Sequence, residues 1–269
     1  MDVKIVVATH KKYHMPKDIM YIPLQVGAEG KLDASGKTLE LGYKKDNIGD
    51  NISKKNPYFC ELTGLYWAWK NLDADYIGLV HYRRYFSMHW KSCFKNILKY
   101  EEIKPYLGKI RLFVPKKRYY LIETLYSHYK HTHYIEQLDL TRVIITEKYP
   151  QYIMAFDKVV NKKSAHMFNM VIMDKELLNQ YCTWLFDILF TLEERIEMPN
   201  LSAFQSRFYG RISEIIFNVW LEYEVETKKL SRHSIKELNC IHLEKINWYK
   251  KGKAFLKAKF FGEKYQGSF

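Results

Sequence analysis

Apolar runs separated by polar clusters dominate the first third of the chain. Residues 3–8 (VKIVVA) and 76–80 (YIGLV) are continuous and rich in β-branched side chains, which is typical of buried parallel strands. A shorter run of the same kind, 21–26 (YIPLQV), precedes a polar loop. Residues 58–71 (YFCELTGLYWAWKN) instead carry apolar residues at helical spacing. The order strand, strand, helix, strand predicts the opening of a nucleotide-binding α/β domain with a mostly parallel sheet.

The same pattern predicts further elements downstream: a strand over 110–115, a helical region over 118–148, a strand over 167–173 and amphipathic helices over 175–195 and 204–223. No internal repeat or low-complexity linker interrupts them, and the composition changes only near 225–230. We therefore predict a single α/β domain flanked by helices over 1–225, followed by a basic, aromatic, helical extension over 226–269.

The charge of the chain is concentrated in that extension. The net charge is +13, and residues 228–269 contribute +8 of it, from eleven Lys and Arg against three Glu. Such an excess favours an anionic partner: nucleic acid, a membrane surface or a phosphorylated substrate. The segment 248–261 (WYKKGKAFLKAKFF) mixes six large apolar residues with five lysines, and we expect it to dock on the anionic inner face of a membrane.

Cysteine usage and hydropathy indicate the compartment. The four cysteines follow no CxxC spacing, which indicates reduced thiols in a cytoplasmic protein. The N-terminus begins as a strand and no run approaches the roughly 18–20 apolar residues that span a bilayer, so we expect a soluble or peripheral membrane protein. P-loop, dinucleotide-binding and GxSxG hydrolase motifs are missing from the sequence.

The stretch 78–86 (GLVHYRRYF) ends a buried strand with His81, Tyr82, Arg83 and Arg84. In open α/β sheets, ligands bind at the carboxyl ends of strands. GT-A glycosyltransferases carry a metal-binding Asp-x-Asp motif at this place, whereas two arginines here offer a fixed positive charge for phosphate. The alternative is a solvated basic strand end.

The histidines of 127–134 (SHYKHTHY) lack zinc spacing and show no nearby acidic or cysteine partner, so we expect a helix surface or a phosphate or sugar contact there.

Several motifs in register resemble one known family. They are VVATHKKYHMP, YIPLQVGA, GDNISKKNPYFCELTGLYWAWKN, DYIGLVHYRRYF, HMFNMVIM, YCTWLFDILFTLEERI and QSRFYGRISEIIFNVWL. In this order they resemble the bacterial capsular-polysaccharide glycosyltransferase family long catalogued as a domain of unknown function. The resemblance covers residues 1–225 and implies a GT-A-like fold. It also implies transfer of a sugar, with galactose (pyranose or furanose) as the first expectation, from a nucleotide diphosphate donor. We expect a UDP-sugar as this donor and, from the predicted membrane docking, a lipid-linked acceptor in cell-surface polysaccharide assembly.

The resemblance also implies which residues bind the donor. Donor nucleotide and diphosphate contacts are expected from Thr9, His10, Lys11, Tyr13, Asp50, Asn51, His81, Tyr82, Arg83 and Arg84. Sugar contacts are expected from Asn169, Met170 and Arg207. One departure is Glu214-Ile215, where the family pattern leads us to expect a Glu-Arg pair.

An inverting reaction needs a base that deprotonates the acceptor hydroxyl. Four carboxylates are candidates that the sequence does not rank: Glu61, Asp157, Glu194 and Glu214. Glu61 has a rival role near the start of a helix, where it favours the helix dipole. A retaining mechanism needs no such base, so the stereochemistry stays open.

We expect no metal requirement, with Mn²⁺ or Mg²⁺ as the alternative. The competing functions are nucleic-acid binding, which we do not expect because the charge lies in the extension, and a non-catalytic nucleotide-sugar-binding scaffold.

Overall fold

Two units make up the chain in the computed structural model, which describes residues 1–120, 122–197, 201–244, 257–259, 264–265 and 267. The first unit comprises residues 1–116, 168–183 and 231–243, and the second comprises 117–167, 184–230 and 244–269. The change in composition near residue 225 predicts a domain boundary there. The two units do not test this prediction, because each of them is assembled from separate stretches of the chain.

Strands form mainly in the first unit. Those in the described part of the chain are β1 (Val3–Thr9), β2 (Tyr21–Gln25), β3 (Lys44–Lys45), β4 (Tyr76–His81), β5 (Arg84–Ser87), β6 (Leu112–Pro115), β7 (Arg118–Tyr119), β8 (Ser164–Ala165), β9 (Val171–Asp174) and β10 (Ile235–His242). The predicted strands at β1, β2, β4 and β6 are confirmed. Strands β7 and β8 pair with each other in the second unit.

The eight-stranded sheet of the first unit runs in the order β3-β2-β1-β4-β5-β10-β6-β9, and β9 also pairs with β4, so five strands close a ring. The prediction of a mostly parallel sheet is wrong. Within the described residues, four pairings of this sheet are parallel and four are antiparallel. Parallel pairing prevails only around β1, where continuous apolar runs are buried on both faces.

Gly78 makes the contact between β4 and β9 sterically feasible. A Cβ at this position would lie 2.8 Å from both the Ile172 side chain and the Val171 carbonyl oxygen. The glycine in GLVHYRRYF therefore lets β9 pack directly against β4. Around this contact the core includes the fully buried side chains of Ile5, Phe113 and Ile172.

The named α-helices of the described residues are α1 (Asn56–Phe59), α2 (Leu62–Asn71), α3 (Tyr100–Ile103), α4 (Leu125–Thr132), α5 (Glu136–Lys148), α6 (Ile153–Val160), α7 (Lys175–Arg195) and α8 (Phe208–Glu226). Helix α7 has the predicted bounds. The predicted helix over 58–71 is interrupted at Cys60, and the region 118–148 forms a short strand and two helices. None of the described helices combines the length and apolarity needed to cross a bilayer.

Two predictions of secondary structure, for residues 167–173 and for the C-terminal extension, are wrong. The apolar run 167–173 begins as a turn, and only Val171–Asp174 is a strand. The extension is not helical throughout, because Ile235–His242 forms β10 in the sheet, pairing with β5 and β6. Most of the basic segment 248–261 lies outside the described residues, and 257–259 is helical.

Candidate functional site

The stretch GLVHYRRYF folds into a tight hairpin at the carboxyl end of β4. His81 ends β4 and pairs with Arg84, which begins β5, so Tyr82 and Arg83 form the turn. Ala8 of β1 is in register with His81, and its carbonyl accepts a hydrogen bond from the Tyr82 amide. The ends of two neighbouring parallel strands therefore meet at one edge of the sheet, where ligands bind in open α/β sheets.

Tyr82 joins the loop after β1 to this hairpin. Its buried ring makes edge contacts with the rings of His10 and Tyr13, at centroid distances of 5.3 and 5.1 Å. Lys11 and Arg83 both place their cationic groups 5.2 Å from the Tyr82 ring centroid. The two predicted segments thus assemble around one aromatic side chain, and they carry cations to the same edge of the sheet.

Arg84 carries a buried hydrogen-bond donor that has no acceptor among the described residues. Its guanidinium lies 4.8 Å from the ring centroid of Phe168. Its Nε atom is buried and makes no hydrogen bond within the described part of the chain. Buried donors are nearly always paired, and arginine stays charged at all physiological pH values. Arg84 is therefore suited to an anionic ligand oxygen.

His81 is held as a neutral imidazole. Its Nε2 donates a 2.6 Å hydrogen bond to the carbonyl oxygen of Phe168. Burial lowers the pKa of His81 below its ordinary value, and the nearby Arg84 and Arg83 lower it further, against the opposing effects of Glu61 and the Phe168 carbonyl. Because Nε2 carries the proton of the neutral ring, Nδ1 is an acceptor.

Glu61 meets Asn169 next to His81. The Asn169 amide donates a 2.7 Å hydrogen bond to Glu61 Oε1. Phe168 and Asn169 both have left-handed backbones, with φ of 79° and 50°, and Cys60, immediately before Glu61, has φ of 54°. Non-glycine residues in this region are strained, and such strain clusters at functional sites. The sequence did not reveal these turns, because Phe168 and Asn169 lie in an apolar run that reads as strand.

Other predicted donor residues have local structural roles. Thr9 is fully buried, and its hydroxyl donates to the Lys11 carbonyl. Asp50 accepts from the Tyr66 hydroxyl, and the Asn51 side chain bonds to the backbone of Gly49 and Ser53. Met170, for which we predicted a sugar contact, is buried in the core of the first unit, with 1% of the residue exposed.

The base candidates differ in their surroundings. Glu61 belongs to the first unit, together with the hairpin, whereas Asp157, Glu194, Glu214 and Arg207 belong to the second. Both Asp157 oxygens accept hydrogen bonds from Arg142, which holds the pKa of Asp157 below its ordinary value. Glu194 is exposed on α7, and Glu214 lies on α8.

Asp46 is a buried carboxylate that was not among the predicted site residues. It accepts hydrogen bonds from the amides of Gly27 and Ala28 and from the hydroxyls of Ser53 and Thr63. These partners lie after β2, before α1 and in α2, so Asp46 fixes the segments that present Glu61. The sequence around it, KKDN, contains no motif that signals this role.

The histidines of SHYKHTHY have an acidic partner, contrary to our expectation. Glu123 is buried, and its oxygens lie 3.1 Å from His128 Nδ1 and 2.6 Å from His131 Nδ1. His133 is bonded to Gln205. Among the described residues, no group of three or more His, Cys, Asp or Glu side chains is arranged to hold a metal ion.

Comparison with known proteins establishes the family. The family model described as Domain of unknown function (DUF4422) matches residues 4–226, so the chain belongs to that family. The fold is similar to a solved apo structure of the WbbM bifunctional glycosyltransferase, with a TM-score of 0.81 and 30% sequence identity. The match covers 91% of this chain and 46% of that one, so this chain spans about half its length. No curated protein matches. The resemblance to a glycosyltransferase-like family formerly of unknown function is thus confirmed.

Proposed function

We propose that this chain is a glycosyltransferase that moves a sugar from a nucleoside diphosphate donor to a saccharide acceptor. UDP-galactose is the first donor to test, with either ring form of the sugar. Family membership and the similarity to a glycosyltransferase structure support the reaction class. The cationic hairpin at the carboxyl end of β4 supports an anionic donor.

The observation that carries the proposal is the buried Nε of Arg84, which bonds to no acceptor among the described residues. In the proposed complex, this N–H donates to an oxygen of the donor diphosphate, and Arg83 and Lys11 add positive charge. Charge accumulates on that diphosphate as the glycosidic bond breaks, so fixed cations stabilise the transition state more than the ground state. The hairpin then supplies the charge neutralisation that a divalent metal supplies at an Asp-x-Asp motif.

We further propose that the acceptor is lipid-linked and that the basic extension holds the protein at the inner face of the membrane. After β10, two described positions of the extension pack within the second unit: the Tyr265 amide donates to the Thr132 carbonyl, and Ala258 is buried. The membrane contact is therefore assigned to the remaining lysine-rich positions. Liposome co-sedimentation of the full chain and of a chain lacking 246–269 tests it: unchanged sedimentation would rule the contact out.

A thermal-shift screen tests the main proposal. UDP and UDP-galactose are expected to raise Tm with or without a divalent metal, because a ligand that binds only the folded state stabilises it. Single-stranded oligonucleotides at physiological salt serve as the comparison. Stabilisation by oligonucleotides with none by nucleotide sugars would favour a nucleic-acid-binding protein instead. Nucleotide-sugar binding without hydrolysis or transfer would indicate a non-catalytic scaffold.

A further inference from the structure

Glu61 has one anchored and one open carboxylate oxygen. Oε1 accepts the hydrogen bond from Asn169, and Oε2 accepts none within the described part of the chain. The residue directly precedes α2, but its side chain makes no capping hydrogen bond to that helix. Glu61 is also partly exposed. The carboxylate is therefore turned towards the 168–169 turn and held by one oxygen, which leaves the other available to a ligand.

The turn that anchors Glu61 also contacts the cationic hairpin. His81 bonds to the carbonyl of Phe168, and Arg84 lies against the ring of the same residue. The next residue, Asn169, bonds to Glu61. Two consecutive strained residues thus fix the carboxylate relative to the arginine that we propose binds the diphosphate. Such backbone strain persists only where the surrounding contacts enforce it.

From this geometry we infer that Glu61 is the general base of the proposed transfer and that Asn169 is its positioning residue. The inference rests on the proposed function. Glu61 takes the proton of the acceptor hydroxyl, and the acceptor oxygen forms a bond to the anomeric carbon. The bond from that carbon to the diphosphate breaks, and its electron pair leaves with the diphosphate beside Arg84. The reaction inverts the anomeric configuration, and the proton passes from Glu61 to water after product release.

The neutral state of His81 is consistent with this assignment. A protonated imidazole beside Glu61 would stabilise the carboxylate and weaken it as a base. Burial and the two arginines lower the pKa of His81, which disfavours a protonated imidazole beside the carboxylate. The hydrogen bond from Asn169 to Glu61 is a neutral one, which orients the carboxylate at a smaller cost in basicity than a charged partner. By contrast, Arg142 binds both oxygens of Asp157.

The test compares Glu61→Gln with wild type in transfer from UDP-galactose to alkyl glycoside acceptors. Loss of a general base is expected to lower kcat by roughly 10²- to 10⁴-fold and to abolish the acidic limb of the pH–rate profile, with KM for UDP-galactose within about threefold. Glu61→Asp, which keeps a displaced carboxylate, is expected to retain the limb at reduced rate. The matched control is Glu101→Gln, an exposed carboxylate on α3 of the same unit, which is expected to match wild type.

Asn169→Gly tests the positioning role, because glycine accepts the left-handed backbone while the amide is lost. We expect kcat to fall about tenfold and the acidic limb to move to higher pH, since the carboxylate loses a stabilising hydrogen bond. A purely structural role would leave the limb in place.

The assignment of Glu61 as general base would be overturned if Glu61→Gln transferred sugar at the wild-type rate. It would also be overturned if the product retained the anomeric configuration. Neither result would contradict glycosyl transfer itself. If wild type turned over no nucleotide sugar although UDP bound, the proposed function itself would fall, and the base with it. Binding of UDP by each variant, measured by calorimetry, shows whether the site has folded.

Discussion

The side-chain amide of Asn169 donates a 2.7 Å hydrogen bond to Glu61, across 108 positions of the sequence. Both residues are presented by strained backbone: Asn169 has φ of 50°, and Cys60, just before Glu61, has φ of 54°. The contact brings the start of α2 to the turn before β9 and places a carboxylate near the arginines of the hairpin. This pairing of an anchored carboxylate with fixed cations underlies the proposed chemistry.

Replacing Arg84 is expected to weaken donor binding. Arg84→Gln removes the charge and the buried Nε donor, and a hydrogen bond between charged groups contributes about 1.5–3 kcal/mol, or roughly 10- to 150-fold in Kd. Calorimetric titration with UDP measures the loss. Arg84→Lys keeps the charge without the planar donor group, and its affinity is expected to be intermediate.

The control for Arg84 is Lys95→Ala, which removes an exposed cation in the same unit. Its affinity for UDP should match wild type, since exposed charges are screened by salt. Equal losses in Lys95→Ala and Arg84→Gln would mean that the overall positive charge attracts UDP, and that the hairpin has no specific role.

Asp46→Asn is expected to destabilise the first unit. The variant replaces an acceptor of four hydrogen bonds by an amide whose NH₂ faces other donors. Disruption of such a buried network costs about 2–4 kcal/mol, which lowers Tm by several degrees. Asp33→Asn is the matched control, because Asp33 also accepts from loop amides but is exposed. A Tm for Asp46→Asn equal to that of the control would contradict the role given to Asp46.

The second unit is expected to lose stability in mild acid. Burial lowers the pKa of His133 to about 3 and that of His128 to about 4. Both residues are neutral in the folded protein, whereas in the unfolded chain they gain protons as pH falls through about 6.5. The contribution of these two histidines to the free energy of unfolding is therefore fully present above about pH 6.5. It decreases as the pH falls below 6.5 and levels off only below the pKa values of the folded state. We expect Tm to fall by about 5–10 °C between pH 7 and pH 5.

His133→Gln should flatten this decline, because it removes one of the two buried imidazoles. His233→Gln, at an exposed histidine, should leave it unchanged. A decline of the same size in His133→Gln and wild type would show that other groups cause it.

Glycine substitutions at two residues with positive φ distinguish an effect of backbone strain on stability from an effect on activity. Lys228 has φ of 60° and Phe168 has φ of 79°. Lys228→Gly relieves strain of about 1–2 kcal/mol and loses part of that through glycine entropy, so a small rise in Tm is expected with unchanged activity. Phe168→Gly relieves similar strain but removes the ring against Arg84, and transfer is expected to fall at least tenfold. Full activity in Phe168→Gly would show that the ring does not position the arginine.

Local signals predicted much of the fold. Continuous β-branched runs gave the bounds of β1 and β4, and helical periodicity gave α7, because burial on both faces and amphipathic packing leave clear patterns. The pattern also indicated the polar clusters at the carboxyl ends of β1 and β4. Tyr82, which joins them, was expected to bind the donor, whereas the structure buries its ring between the two segments.

Features that depend on distant contacts were not predictable. The ring closed by β10 needs pairing between Cys240 and Phe86, which leaves no local pattern. The break at Cys60 interrupts a segment with good helical periodicity, since Asn56 bonds to the Cys60 carbonyl there. The Phe168–Asn169 turn is enforced by Glu61 and His81, so an apolar run that resembles a strand adopts a left-handed conformation.

The most direct test of the account is calorimetric titration of the wild-type protein with UDP in the presence of EDTA. If the arginine hairpin neutralises the diphosphate, the protein should bind UDP with the same affinity in EDTA as in Mn²⁺ or Mg²⁺. Loss of UDP binding in EDTA that is restored by added Mn²⁺ would contradict the claim that Arg83 and Arg84 take the place of a metal.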